Sequence, residues 1–271
     1  RLRIKTSASK EYLSDFIPVK TTPLIDSVNW IREKDGVGIY INAHDDKNDT
    51  RYYQWDYEES WELQSIGYSE FVFQNKKMAR RDLQEIPKLY TCWKNQRSVN
   101  IIIGSTARLS NDIIYLNPIT FIPNRSEKLG VRYSILVRQY AISRDAYEYL
   151  SLMKKNSEQT GSLFDSQPSE LKGNIHSVTN PDEMVIGYVG IAPLVEKRIF
   201  ISSVQLPGWD FNLVCEFVKV PNNPDSLEVF SGIGRSLASS YNRADNSYNG
   251  STAACLDCRL RGGNNNKPSF W

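Results

Sequence analysis

Arg51-Tyr52-Tyr53-Gln54-Trp55-Asp56-Tyr57-Glu58-Glu59-Ser60-Trp61-Glu62-Leu63 is the stretch that decides the fold. Tyr53, Trp55, Tyr57, Trp61 and Leu63 share one face; Tyr52, Gln54, Asp56, Glu58 and Glu62 share the other. That period of two marks a half-buried strand. Glu59 falls on the aromatic face, which implies an inward carboxylate in need of a cationic or hydrogen-bonding partner, with Arg132 or Arg138 expected to supply it. The aromatic stripe reads as the core side of a sheet, with a sugar-stacking platform as the alternative. Just upstream, Val37, Ile39, Ile41 and Ala43 line one face of another strand. The segment between, His44-Asp45-Asp46-Lys47-Asn48-Asp49, is rich in turn formers, so the two strands are expected to form a hairpin.

Further out, alternation predicts strands at Val99, Ile101 and Ile103, at Val131 to Val137 and at Phe211, Leu213, Cys215 and Phe217, with a short apolar run at 199–201. One helix is expected over 143–156. Ser143 is its N-cap, and Ala146, Tyr149, Leu150 and Met153 form one apolar stripe. A second helix is expected from Met78 to Ile86, and 226–240 is ambiguous because Gly232 and Gly234 interrupt it. Segments 160–185 and 242–270 read as loops. The expected fold is mainly β, of immunoglobulin-like sandwich character, with a surface helix and a loop-rich C-terminus.

The 271 residues carry 33 Lys plus Arg and 31 Asp plus Glu, a formal +2, without the basic excess of a nucleic-acid binder. No run of 18 apolar residues crosses a membrane as a helix. The chain opens on Arg1-Leu2-Arg3-Ile4-Lys5, already in alternation. Residues 1–9 therefore read as the last strand of a preceding β-domain, and 10–271 as one compact unit.

Four cysteines, Cys92, Cys215, Cys255 and Cys258, favour a disulfide framework, leaving zinc and free thiols as alternatives and the pairing undecided. His44, beside Asp45, Asp46 and Asp49, reads as part of a solvated turn, with a cation site as the alternative. His176 has no nucleophile motif nearby. Asp56 and Glu58 share a strand face, near the lower spacing of a retaining glycosidase pair. Lys76, Lys77, Arg80, Arg81, Lys88, Lys94 and Arg97, opposed by Asp82 and Glu85, form a basic stretch that reads as a solvated helix face or as a surface for an acidic partner. No catalytic residue, metal site or cofactor is assigned. The terminal Phe270-Trp271 lacks the alternation of a membrane-barrel strand.

Several motifs together resemble one family. They are the C-terminal Cys255-Leu-Asp-Cys-Arg-Leu-Arg-Gly-Gly-Asn-Asn-Asn-Lys-Pro-Ser-Phe-Trp271, the aromatic strand 51–62, Cys92-Trp93, Arg132 to Tyr140, Gly161 to Ser169, and Gly173-Asn-Ile-His176 with Val185-Ile-Gly-Tyr188. The chain is similar to a domain-of-unknown-function family (family 4249) of Bacteroidetes outer-membrane lipoproteins. The resemblance implies a lipid anchor at the outer membrane, on its periplasmic or cell-surface side, and a TonB-dependent transporter as partner. It carries over no catalytic residues. Asp26-Ser27-Val28 and Asp225-Ser226-Leu227 resemble the O-glycosylation site of that phylum.

Three functional expectations follow. The first is a non-catalytic envelope interaction protein, accessory to TonB-dependent transport. The second is a glycan- or peptide-binding module. The third is a hydrolase with an unfamiliar site.

Overall fold

The computed structural model describes residues 1–75, 77–158, 173–209, 211, 213–232 and 235–271. In chain order the first half runs β1 (Arg3–Lys5), β2 (Glu11–Ser14), β3 (Ile25–Arg32), β4 (Gly36–His44), β5 (Tyr52–Gln64), β6 (Phe71–Gln74), β7 (Lys77–Arg80), α1 (Ile86–Tyr90), β8 (Thr91–Arg97), β9 (Ile102–Ser105) and β10 (Ile113–Pro123). The second half runs β11 (Arg132–Ala141), α2 (Arg144–Glu158), β12 (Ile175–Ser177), β13 (Leu194–Ser202), β14 (Val218–Pro221), α3 (Pro224–Gly232), β15 (Arg235–Asn242), β16 (Ser247–Thr252) and α4 (Ala253–Leu256). The fold is mainly β, as the alternating patterns require.

Two antiparallel sheets face each other as a sandwich. One has the order β10-β4-β3; the other has β13-β11-β5-β8, with β9 on the same edge of β5 as β8. Val37, Ile39, Ile41 and Ala43 from the first sheet pack with Tyr53, Trp55, Tyr57, Trp61, Leu63, Tyr133, Ile135 and Val137 from the second. The hydrophobic driving force comes from these inner faces. Three of the buried rings have their polar tips satisfied, whereas the Trp61 indole N–H is buried without a hydrogen-bond partner. Trp55 Nε1 donates to Gln139 Oε1 (2.9 Å), and the hydroxyls of Tyr53 and Tyr57 bond Asp112 and Thr120.

The expected hairpin is not formed: β4 and β5 lie in different sheets. The loop between them carries the chain across the sandwich. Asp45 organises it, accepting from the backbone N–H groups of Lys47, Asp49 and Thr50 and from the Thr50 hydroxyl. Asn48 and Arg51 take positive φ, and the Arg51 N–H donates to Asp112 next to β10.

Other elements depart from the expectation. Val99 is exposed in the β8–β9 connection, and the strand starts only at Ile102. Met78 lies in the β6–β7 hairpin, not a helix; the helix starts at Ile86, where Pro87 occupies its first turn and supplies a pre-set φ. The described residues of 211–217 form no strand, although Leu213 and Cys215 pack on Cys255 and Leu256. Segment 242–270 holds β16 and α4, so it is more ordered than its polar composition suggests. Within the ambiguous 226–240, the described residues belong to α3 and β15, and Gly234 lies outside them.

A small sheet, β1-β2-β12, flanks the sandwich, so β1 pairs with this chain's own β2. A satellite core of Phe71, Val220, Leu227, Phe230 and Tyr248 joins β6 to the sheet β14-β16-β15 and to α3. Two disulfides staple the C-terminal region. Cys92–Cys258 ties β8 to the C-terminal turn, and Cys215–Cys255 closes the satellite region.

A candidate binding groove on the flank of the sandwich

Ser143 starts α2 as expected, its Oγ accepting from the Ala146 N–H at 3.1 Å. The Ile142 N–H bonds Tyr52 O, and Tyr147 packs on the Tyr52 ring, which fixes the helix against β5. With Ala146 buried below, Asp145, Glu148, Tyr149 and Leu152 follow at i, i+3, i+4 and i+7 and form a second face. That face makes one wall of a groove of about 510 Å³.

The opposite wall is Asp15-Phe16-Ile17-Pro18, the extended segment after β2. Its position is set by the Asp15 N–H, which donates to Asn174 O at 2.9 Å. Gly173, Asn174 and Tyr188 close the end. Here two of the quoted motifs interlock. Asn174 bonds both the N–H and the carbonyl of Val189 through its side chain. A Cβ on Gly173 would fall on the backbone of Gly187, so only glycine permits this approach. Tyr188 then reaches the Ser143 hydroxyl (3.1 Å), and its ring lies 5.2 Å from that of Tyr149.

Asp15, Asp145 and Glu148 line the groove, and among the described residues no cationic side chain does. Glu148 pairs with Arg144 (2.7 Å), and Asp15 lies 3.7 Å from His176 Nδ1; all four side chains are at least half exposed. Phe16 is 78% exposed, and the Arg1 guanidinium sits 4.9 Å from its ring centre.

The groove was missed in the sequence because its walls come from segments far apart in the chain. Tyr188 stands out in the sequence only as part of a motif. Asp15, Phe16 and Glu148 carried no local signal.

The residues singled out in the sequence lie elsewhere. Glu59 is buried as its register required, but its partners are Lys128 and the Tyr133 hydroxyl. Arg132 and Arg138 are on the outer face of β11, across the sheet from it. Burial, then the Glu59 charge, pushes the Tyr133 phenol well up. Asp56 and Glu58 are both bound by Arg138. One guanidinium gives them a shared environment, where glycosidase chemistry needs two unlike ones. The aromatic stripe is core, so it offers no sugar platform.

His44 contacts Asp26 (2.7 Å) and Asp46 (3.6 Å); the bond to Asp26 leads in raising its pKa. Among the described residues no group of three or more His, Cys, Asp or Glu is arranged to hold a metal.

The basic residues do not form one helix face. Lys76 is outside the described residues, Lys77 and Arg80 are on β7, and Arg81 follows that strand. Lys88 is on α1, while Lys94 and Arg97 on β8 pair with Glu127 and Glu58. Gly161 to Ser169 also falls outside the described residues. Phe270 and Trp271 pack against Phe200 beneath the guanidinium groups of Arg132 and Arg198. Ser27 on β3 accepts from Asn29 of the same strand and from Asn42 on β4, and Ser226 is partly buried in α3.

Fold and groove together define a disulfide-linked, mainly β protein with an acidic, aromatic recess on its flank. All residues that line the recess lie in the first 198. The chain belongs to the family described as Domain of unknown function (DUF4249), whose model matches residues 1–198. The C-terminal motif at 255–271 is outside that match. Neither a curated protein nor a solved structure matches the chain.

Proposed function

We propose that this chain is a non-catalytic interaction protein of the cell envelope, accessory to a TonB-dependent outer-membrane transporter. In this reading it is a lipoprotein of the Bacteroidetes type, held at the outer membrane by a lipid anchor. The observation that carries the interaction role is the groove. Four separate segments, all within the family match, meet around Gly173 and Asn174 to hold charged and aromatic side chains at the surface. Recesses of this kind bind ligands through a few fixed polar groups on an apolar base. The envelope setting draws support from the two disulfides, which suit an oxidising compartment. The test is gentle extraction of membranes containing the tagged full-length protein, with the co-purifying chains quantified. A transporter recovered in stoichiometric amount is the expected result; a protein that purifies alone overturns the accessory role.

A glycan-binding module is the second reading, favoured by the exposed Phe16 ring and the Tyr149–Tyr188 pair. It predicts that Tyr188→Ala abolishes retention on a neutral oligosaccharide column.

A further inference from the structure

We propose that the groove receives an extended segment of a partner protein carrying lysine or arginine side chains. This rests on the binding role of the groove proposed above and names its ligand class.

Charge complementarity is the first argument. Asp15 stands on one wall, Asp145 and Glu148 on the other, with no cationic lining residue among those described. Low-dielectric walls focus such a field and repel acidic ligands. Asp145 and Glu148 are one helical turn apart on the same face, close enough to share one guanidinium or ammonium group.

The rings supply the second argument. Aromatic faces attract cations electrostatically, and Tyr149 and Tyr188 present a ring pair at the groove's end. Phe16 already takes a guanidinium, that of Arg1. Ile17, Pro18 and Leu152 provide apolar surface for the methylene stems that lysine and arginine lay along such walls.

The cations paired with the groove's carboxylates do not block this use. The Arg144–Glu148 and His176–Asp15 pairs are solvent-exposed and contribute little to stability, so incoming cations can exchange for them. A neutral sugar would use the rings but leave the three carboxylates without complementary charge.

The experiment is fluorescence anisotropy on the purified chain. The probe is a labelled short peptide of alternating arginine and leucine, compared with its citrulline counterpart and with a neutral oligosaccharide competitor. Binding of the arginine peptide is expected to weaken about tenfold in the Asp145→Asn/Glu148→Gln variant and to fall steeply with salt. Asp46→Asn, away from the groove, is expected to bind as wild type. Both groove positions are exposed, so unchanged thermal melts will show that the variants fold. Equal affinity for the arginine and citrulline peptides, salt-independent binding displaced by the oligosaccharide, or an unaffected double variant would each overturn the proposal. Co-purification of a transporter alongside any of those results removes the ligand class and leaves the envelope role standing. Peptide binding without a co-purifying transporter does the reverse.

Discussion

Glu59 shows what a single position can and cannot reveal. Its place on the aromatic face follows from counting along β5, and the structure buries it there. The partner is not countable. Arg132 and Arg138 belong to the outward set of β11, whereas Lys128 reaches in from the short 3₁₀ turn before that strand. Removing one member of a buried pair leaves the other uncompensated. Glu59→Gln is therefore expected to cost about 3 kcal/mol in urea unfolding, with Glu59→Gln/Lys128→Met recovering most of it. Asp45 gives a pH signature. Burial pulls its pKa up, but the bonds from the Thr50 hydroxyl and from the N–H groups of Asp49, Lys47 and Thr50 outweigh that and hold it below the ordinary value. A depressed carboxylate contributes stability that is complete above its unfolded pKa of about 3.9 and is lost as pH falls through the folded value. Melts taken from neutral pH downward should show wild type ahead of Asp45→Asn at pH 7, the gap closing under acid conditions. A gap independent of pH would remove the carboxylate's charge from the explanation.

Elements differ in how much of themselves they show. The inward faces of β4, β5 and β11 and the start of α2 were legible, because burial imposes a period and Ser143 a cap. Pairing was not legible: β4 and β5 both face the core, and alternation alone is silent on whether two strands are neighbours or opposite each other. The helix expected over Met78 to Ile86 is displaced to Ile86–Tyr90, where Pro87 supplies the start signal. β16, Ser-Tyr-Asn-Gly-Ser-Thr, has almost no apolar pattern; it is a strand because β14 and β15 pair with it on both sides. Cross-links and close approaches carry the predictions at this scale. The Cys92–Cys258 bridge spans 166 residues and Cys215–Cys255 spans 40. In the loop-entropy picture, replacing the first pair by serine should destabilise by roughly 1 kcal/mol more than replacing the second, read as a lower denaturant midpoint. Gly173→Ala would push the 173 and 187 backbones apart. A loss on the order of 3 kcal/mol is expected, together with the peptide affinity. A variant that binds normally would show that the end wall is not needed.

At the scale of the molecule, a net charge of +2 conceals a recess on the flank whose described charged lining residues are all acidic. Composition excluded classes of function but could not locate a site whose walls meet only after folding. The family match reaches the last strand of the sandwich and includes every lining residue of the groove, while Cys258 and the C-terminal turn that it ties to β8 lie outside it. The central claim, that this groove is where the protein meets its partner, is tested most directly by photo-crosslinking in intact cells. A photoreactive residue is placed at Leu152 in the groove wall, and a second at Val99, exposed on the β8–β9 connection. The account predicts that Leu152 crosslinks to an outer-membrane transporter, that excess basic peptide suppresses the product in isolated membranes, and that Val99 yields none. A transporter captured from Val99 but not from Leu152 would contradict it.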